Sequence, residues 1–338
     1  MASSLFSIII PCFNAEATIA ESLDSIPPSS SSQAIEVIVV DDGSTDRSAA
    51  VVQQVRPDAI LISQANQGAS AARNRGISIA RGDWIQFLDA DDTLLPQTLE
   101  QRLNRAHQTD ADVVVTDWIQ FNDSPRTIPA QNHQEADLAS TSRSADWQTC
   151  QEINAEIGCA TSFWAPPAAV FYSRSIVQKV GAFRNDLPII QDARFLFDAA
   201  YHGARIAHLA TPGARYRICT ASLSRRNPTA FWIDCLRNGQ QIEQLWLQRD
   251  SRLNQDQLNA LQQIYAGAAQ ALIRAGNPGA FAAAAALQGT GGTLNRELSY
   301  GLQLLNITGS TITRSAFTLG SIARALSRRL HQGHPIRT

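Results

Sequence analysis

The stretch WIQFLDADD, residues 84–92, joins an apolar run to three closely spaced carboxylates, those of Asp89, Asp91 and Asp92. Crowded carboxylates repel one another and raise each other's pKa unless a cation or a hydrogen-bond donor compensates their charge. A buried strand that ends in such a cluster either turns out into water or supplies one side of a site for a positive group.

The first 120 residues alternate between apolar runs and helix-like segments. Runs such as LFSIII and IEVIVV have no polar alternation, which is typical of strands buried on both faces. Helical patterns lie at 17–26 and 70–80. This alternation predicts an α/β fold with a mostly parallel sheet and helices on both faces. The predicted strands are residues 5–10, 35–40, 59–63, 84–88 and 112–118.

Polar turns follow three of these strands: PCFN at 11–14, DDGSTD at 41–46 and DADD at 89–92. In open α/β sheets the ligand site lies at the carboxyl ends of the strands. We therefore expect a ligand site along one edge of the sheet. The first strand is not followed by G-x-G-x-x-G, so a dinucleotide site of the usual kind is not favoured.

Composition narrows the class of protein. The chain has 338 residues, of which 44% are hydrophobic and 17% charged, as in folded proteins of one large domain or two. A net charge of −2 gives no general attraction to nucleic acid. Five cysteines without a C-x-x-C pair favour a reducing cytoplasm. Neither a signal peptide nor an apolar run near the ~18 residues of a membrane span is recognised.

Four blocks of sequence resemble, in order, the motifs of the inverting family-2 glycosyltransferases: SIIIPCFNAEATIAESLDSI, IEVIVVDDGSTDRS, NQGASAARNRGISIARGDWIQFLDADD and GAFRNDLPIIQDARF. The resemblance implies the GT-A fold, a Rossmann-like sheet fused to an acceptor-binding part. It predicts a glycosyltransferase domain at 1–225, with a nucleotide-sugar half at 1–120 and an acceptor half at 121–225. From residue 226 to 338 the pattern predicts a helical C-terminal extension.

In this resemblance Asp89 and Asp91 match the DXD motif, which holds a divalent metal and contacts the sugar nucleotide. A diphosphate is itself negative, so carboxylates beside it need a bridging cation, and hard oxygen ligands suit Mg²⁺ or Mn²⁺. The alternative is a helix N-cap of solvated aspartates before TLLPQTLEQRL. That alternative applies best to Asp92.

The resemblance also implies a nucleotide pocket. Pro11 begins a turn that holds the base, Phe13 stacks on the base, and Asn14 lies in the same turn. Asp42 is expected to accept a hydrogen bond from a uracil ring, a charge-assisted contact that favours uracil or thymine nucleotides. Taken alone, DDGSTD is equally typical of a turn.

Arg73 and Asn74 are expected to line the same pocket, where a guanidinium compensates phosphate or orients the carboxylates. The alternative is a solvated helix face, and it applies to Arg75. Gly68 and Gly76 are interpreted as backbone and packing requirements.

The resemblance implies that Asp192 is the catalytic base. Inverting transfer is a single in-line displacement at the anomeric carbon, so the acceptor hydroxyl must lose a proton, which a carboxylate can accept. The family places this aspartate second in an acidic pair that opens a helix, whereas here the first residue is Gln191. The alternative is that Asp192 is only a helix cap.

A second departure from the family pattern is YRICTASLS, where Cys219 stands at a position that is often histidine. Tyr216 and Arg217 match the pattern, as do the serines 222 and 224. Without the histidine, the expectation of a third protein ligand to the metal, or of an acceptor contact at this position, is weakened.

These observations predict that the protein transfers one sugar, non-processively, from a UDP-linked nucleoside diphosphate donor. The predicted acceptor is a hydroxyl group of a glycan or of a lipid-linked molecule, in the assembly of a cell-surface polysaccharide. The Q-x-x-R-W motif of processive synthases is missing. One alternative is a catalytically impaired protein that binds the nucleotide sugar. Another is a sugar nucleotidyltransferase, which would need a glycine-rich basic loop where PCFNAEAT stands.

The last part of the chain is basic, with no acidic residue after Glu297. Apolar residues at near-helical spacing predict an amphipathic helix there, and two roles stay open for it. It would rest peripherally on an anionic membrane at the cytoplasmic face, or it would pack its leucines on the protein. The residues concerned are Arg314, Arg324, Arg328, Arg329 and Arg337, and Leu319, Ile322, Leu326 and Leu330.

Overall fold

The computed structural model describes residues 4–30, 33–122, 141–142, 154–218 and 226–306. The chain divides into two compact units, Met1–Ser222 and Leu223–Thr338. The first unit contains the sheet, and the described residues of the second unit, 226–306, are mainly helical. The domain limits inferred from the sequence, including the two halves of the first domain, stay predictions.

Among its described residues, the first unit has one sheet of nine strands in the order β3-β2-β1-β4-β8-β6-β9-β5, with β7 paired to β6. The strands are β1 (Ser4–Cys12), β2 (Gln33–Asp41), β3 (Ile60–Ser63), β4 (Trp84–Phe87), β5 (Thr93–Leu94), β6 (Val113–Asn122), β7 (Thr141–Ser142), β8 (Val170–Ser173) and β9 (Ile206–Ile218).

The α/β fold predicted from the sequence is confirmed, and the sheet is parallel from β3 to β4. Beyond β4 it is mixed, because β8 runs antiparallel to both of its neighbours, β4 and β6. The predicted strand at 112–118 therefore does not lie beside β4. Strands β1 and β2 are flanked on both sides and covered on both faces, which explains their unbroken apolar runs.

Seven helices accompany the sheet in the described part of the first unit. Helix α3 approaches β1 closely because Gly76 has no side chain: a Cβ there would lie 2.3 Å from Cγ2 of Ile9. The helices are α1 (Ile19–Asp24), α2 (Ser48–Val55), α3 (Ala69–Ile79), α4 (Thr98–Thr109), α5 (Ala155–Thr161), α6 (Arg174–Val180) and α7 (Gln191–Tyr201).

A cluster of aromatic side chains anchors α7 to the sheet. Phe195 of α7 stacks on Phe183 with ring centroids 4.1 Å apart, and both rings pack against Phe87 at the end of β4. Tyr172 of β8 closes the cluster from the other side. The start of α7 is thereby held near the turn that follows β4.

The second unit contains α8 (Pro228–Asp250), α9 (Gln255–Arg274) and α10 (Gly279–Gly289), and residues 296–306 are also helical. The helical character predicted for this region is confirmed over these residues. Among the helices that the structure describes, none is both long and apolar enough to cross a membrane. The predicted basic amphipathic helix, with its leucines and arginines, lies outside the described residues.

Candidate functional site

Strands β1, β2 and β4 run parallel as neighbours, so their carboxyl ends meet at one edge of the sheet. Pro11 is paired with Val40 inside β1 and leads into the turn at Phe13. The ring of Phe13 is 50% exposed, which is unusual for a large apolar side chain in this protein. An exposed aromatic face at a strand end is available to stack on a planar ligand.

Asn14 ties the turn after β1 to the turn after β2. Its backbone is left-handed, with φ of 49°, a conformation that asparagine tolerates better than most residues. Its Oδ1 accepts a 2.8 Å hydrogen bond from the N–H of Thr45, and its own N–H donates to Oγ of Ser44 at 3.0 Å. The two turns therefore form one connected rim around Phe13.

Asp42 is buried, and its carboxylate accepts three hydrogen bonds from the segment that leads into α3. The donors are the side-chain amide of Gln64 at 2.8 Å and the backbone N–H groups of Gln67 and Gly68 at 2.9 and 2.8 Å. An ionised carboxylate offers about four acceptor positions. Three of these positions are thus occupied by donors of the protein.

Arg73 of α3 reaches the turn after β4 and forms an ion pair with Oδ1 of Asp89. Its guanidinium lies 5.3 Å from the ring centroid of Phe183, and the residue is only 3% exposed. The Nε and Nη1 atoms are buried without a hydrogen-bond partner. Such unsatisfied donors are costly, so they mark a place where an anionic ligand would be stabilised.

Asn74, the neighbour of Arg73, is bonded through its side-chain amide to the backbone of Phe183. Its Oδ1 accepts the N–H of Phe183 at 2.7 Å, and its Nδ2 donates to the carbonyl oxygen of Phe183 at 3.0 Å. The side-chain amide is therefore engaged on both sides with the backbone. It holds the segment before α7 against α3.

The DADD turn is held by Arg217 of β9. The backbone N–H of Arg217 donates to Oδ1 of Asp92 at 2.8 Å, and its Nε donates to the carbonyl oxygen of Asp91 at 2.8 Å. Its Nη2 pairs with Glu21 of α1. Asp92 is fully buried, and burial together with Asp89 and Asp91 raises its pKa well above the ordinary value.

The helix-cap alternative for the DADD aspartates is wrong, since α4 begins at Thr98 with Gln97 as its N-cap. Asp92 instead anchors the turn through Arg217. Asp89 and Asp91, in the same turn, are half-buried and lie at the edge of the sheet where β4 ends.

A divalent cation fits this arrangement. In the described residues no three His, Cys, Asp or Glu side chains are grouped to hold one ion. Mg²⁺ and comparable ions in nucleotide sites need only one or two carboxylates, because substrate phosphates and water complete the shell. Asp91 and Asp89 are the residues that would supply such carboxylate oxygens, with Oδ1 of Asp89 also paired to Arg73.

Asp192 is the second residue of α7 and is half-buried. The N-cap of α7 is Ile190, which makes no side-chain capping bond, and Asp192 lies in the first turn of the helix. Burial raises the pKa of Asp192, although the indole of Trp164, the charge of Arg73 and the N–H of Ala193 act in the opposite direction. A carboxylate with a raised pKa is a better proton acceptor.

Gln191, the departure from the acidic pair, is engaged inside the protein. Its Oε1 accepts the hydroxyl of Ser70 on α3, and its Nε2 donates to the carbonyl oxygen of Pro188 at 3.2 Å. A carboxylate could not make the second of these bonds. The amide therefore joins α7 to α3, and it leaves Asp192 without a neighbouring acidic side chain in the sequence.

Trp164 is the main residue at the site that sequence analysis missed. Its Nε1 donates to Oδ2 of Asp192 at 2.9 Å, and its ring packs edge-on against Trp118 and Tyr216. The pKa of Tyr216 is raised by burial and by the nearby carboxylates of Asp92, Asp89 and Asp192. In the sequence Trp164 is only a tryptophan within FWAPPAAVFYSR, and no motif connects it with Asp192. Its role at the site could therefore not be inferred from the sequence.

The structure thus gathers Phe13, Asn14, Asp42, Arg73 and Asp89 along one edge, with Asp91 in the same turn as Asp89. The charge of Arg73 lowers the pKa of Asp192, and the charge of Asp89 raises it. Cys219 and the serines that follow it lie outside the described residues.

A family model described as glycosyl transferase family 2 matches residues 7–180, just over half of the chain. The putative glycosyltransferase EpsH of Bacillus subtilis is 28% identical over 232 residues, which are 67% of this chain and 64% of that protein. The chain spans less than two thirds of the length of the curated relatives that it matches, and about a third in several cases.

Two solved structures are similar in fold. The mannosyltransferase PcManGT from Pyrobaculum calidifontis in complex with GDP-Man and Mn²⁺ has a TM-score of 0.53 and 18% identity, covering 99% of this chain and 89% of that one. S. aureus TarS 1–349 in complex with UDP-GlcNAc has a TM-score of 0.52 and 19% identity, covering 88% and 91%. The expected GT-A fold is confirmed.

Proposed function

The chain belongs to glycosyl transferase family 2, and we propose that within this family it moves one sugar from a nucleoside diphosphate sugar to a hydroxyl acceptor, with inversion and without processive growth. The observation that carries this proposal is the carboxylate of Asp192, half-buried, held by Trp164, and electrostatically coupled to Arg73 and Asp89. These contacts support the proposal that Asp192 is the proton acceptor in a reaction whose diphosphate is bound near Arg73 and Asp89.

In the proposed reaction the acceptor oxygen forms a bond to the anomeric carbon while the bond from that carbon to the diphosphate oxygen breaks. Asp192 takes the proton of the acceptor hydroxyl, and the nucleoside diphosphate leaves with the electron pair. Arg73 has buried donors without partners that match a phosphate oxygen. Mg²⁺ or Mn²⁺, held by Asp91 and Asp89, would neutralise charge on the diphosphate when bound.

We propose a UDP-linked donor. TarS 1–349 in its complex carries UDP-GlcNAc, whereas PcManGT carries GDP-Man. In this chain the exposed ring of Phe13 offers a stacking face, and the carboxylate of Asp42, which accepts three hydrogen bonds from the protein, would also accept a uracil N–H. Pro11 and Asn14 shape the same turn, and Asn74 supports the pocket indirectly through Phe183.

A panel of UDP-, dTDP- and GDP-sugars with Mn²⁺ tests the proposed donor. We expect release of nucleotide from a UDP-sugar, because slow donor hydrolysis does not require the acceptor. The release is expected to stop when the metal is chelated. Binding restricted to GDP-sugars would show that the base contact assigned to Asp42 is wrong, and no turnover of any donor would contradict the proposed function itself.

For the acceptor we propose a glycan, or a lipid-linked glycan precursor, used in cell-surface polysaccharide assembly on the cytoplasmic side. The missing Q-x-x-R-W motif supports transfer of a single sugar. A lipid-linked acceptor would lie at a membrane surface. The basic C-terminal sequence is suited to an anionic surface of that kind.

Sedimentation with anionic vesicles tests the membrane contact. Full-length protein should pellet with phosphatidylserine vesicles more than a variant truncated at Thr311, and added salt should reduce the difference because surface electrostatics are screened. Neutral vesicles serve as the control. Equal pelleting of both proteins would contradict the membrane role and leave the alternative of a helix packed on the protein.

A further inference from the structure

We propose that Trp164 is a positioning residue for Asp192, an inference that rests on the proposed role of Asp192 as the base. The indole N–H donates a 2.9 Å hydrogen bond to Oδ2 of Asp192. Trp164 follows α5 whereas Asp192 belongs to α7, so the bond joins two separate segments. It fixes the orientation of the carboxylate relative to the sheet.

The indole ring is itself held by the sheet. Trp118 of β6 meets it edge-on at a centroid distance of 5.8 Å, and Tyr216 of β9 does so at 5.7 Å. Strands β6 and β9 are paired at these positions, with Trp118 opposite Ala214 and Gln120 opposite Tyr216. The direction of the indole N–H is therefore set by two neighbouring strands and does not depend on α7 alone.

The hydrogen bond also favours the form of Asp192 that accepts a proton. Burial disfavours the ionised carboxylate and raises its pKa, while the Trp164 N–H and the positive charge of Arg73 lower it. Without the indole N–H, less of the carboxylate would be ionised at a given pH. Asp192 would then be both less well oriented and more often protonated.

Several other ionisable groups surround Asp192, and none of them replaces the indole N–H. Arg73 of α3 attracts the carboxylate, and Asp89 after β4 repels it. Tyr172 of β8 and Tyr216 of β9 interact with its charge. The ionisable residues on the two helices packed against α7 are Glu156 and Cys159 on α5 and Arg174 and Lys179 on α6.

Trp118 provides a matched control. Its indole packs edge-on against that of Trp164, but its own Nε1 is buried without a hydrogen-bond partner. Replacing either tryptophan by phenylalanine removes one indole N–H and retains an aromatic ring. Only the change at Trp164 removes a bond to Asp192.

Trp164→Phe should lower kcat for transfer by about 10-fold or more, the loss typical of a hydrogen bond to a charged group, with little change in the KM for the donor. The acid limb of the kcat–pH profile should move to higher pH, because the pKa of Asp192 rises. Trp118→Phe keeps an aromatic ring against Trp164 and removes no bond to Asp192, so its acid limb should move much less than that of Trp164→Phe. Thermal unfolding of both variants shows whether they are folded.

Two further measurements separate this inference from the proposed function. 3-Benzothienylalanine at position 164 replaces the indole N–H by sulfur at almost constant shape, and it should reproduce the shift of the acid limb. The ¹³C NMR titration of the Asp192 carboxyl, assigned with Asp192→Asn, needs no substrate and should show a higher pKa in both Trp164 variants.

An unchanged acid limb and an unchanged Asp192 titration in these variants would overturn the inference, even if kcat fell. Equal shifts in Trp118→Phe would do the same, because they would indicate a general effect of the aromatic cluster. Failure of the wild-type protein to turn over any donor would contradict the proposed function. The titration would still report whether Trp164 controls Asp192.

Discussion

Replacing Asp192 by asparagine should lower sugar transfer by about 10²–10⁴-fold while donor affinity remains near that of the wild type. The amide keeps the volume of the carboxylate, and its carbonyl oxygen can still accept the N–H of Trp164. It cannot take the proton of the acceptor hydroxyl. Measurements of kcat with a verified acceptor and of the donor dissociation constant by calorimetry separate the two effects.

Asp198→Asn is the matched control for this variant. Asp198 lies on the same helix but forms a 2.7 Å ion pair with Arg194, and it has no contact with Trp164 among the bonds described above. We expect near-normal turnover from the folded control. Near-normal turnover in Asp192→Asn would remove Asp192 from the mechanism and favour a different base.

The pH dependence of transfer by the wild-type enzyme should also show the ionisation of Asp192. Transfer requires ionised Asp192, so activity should fall as pH decreases through its pKa. Burial raises that pKa above the ordinary aspartate value of about 3.9. The acid limb should therefore lie at higher pH than for an exposed aspartate, and it should be absent from the residual activity of Asp192→Asn.

The parallel part of the sheet was predictable because its strands are buried on both faces. The runs at 5–10 and 35–40 fall inside β1 and β2, each of which extends by one or two residues at either end. Strand β8 was not assigned, since VFYS occupies only four residues in a stretch of mixed pattern. Its place between β4 and β6 depends on pairing with residues more than fifty positions away.

The strand ends and helix starts at which the candidate site residues lie were predictable for a related reason, since each motif directly follows a strand or opens a helix. Their partners were not. Asp42 accepts hydrogen bonds from Gln67 and Gly68, and Asp192 accepts one from Trp164. These partners are more than twenty positions away in the sequence, so no sequence motif indicates them. Consequently the sequence located Asn74 correctly in α3 but did not reveal that its amide is taken by the backbone of Phe183.

Replacing Asp91 by alanine should abolish the metal dependence of donor binding and weaken the binding of the donor in Mn²⁺ by about 10²-fold or more. Loss of a group that only supports a ligand costs about 10–100-fold in metal affinity, and loss of a ligand should cost at least as much. Arg217 should still hold the turn in this variant, because its Nε donates to the backbone carbonyl oxygen of Asp91, which alanine retains. Calorimetry with the donor, with and without Mn²⁺, measures both quantities.

The control is Asp58→Ala, which removes an exposed carboxylate that precedes β3 and therefore lies at the opposite edge of the sheet. It lowers the net negative charge equally, so it should leave donor affinity and metal dependence unchanged. If Asp91→Ala behaved like this control, the DADD turn would have only a structural role, with Asp92 joined to Arg217. The diphosphate would then have to be neutralised by Arg73, whose Nε and Nη1 are buried without a hydrogen-bond partner. Arg73→Gln would in that case cause the larger loss of donor affinity, so the two variants measured together identify which group compensates the phosphate charge.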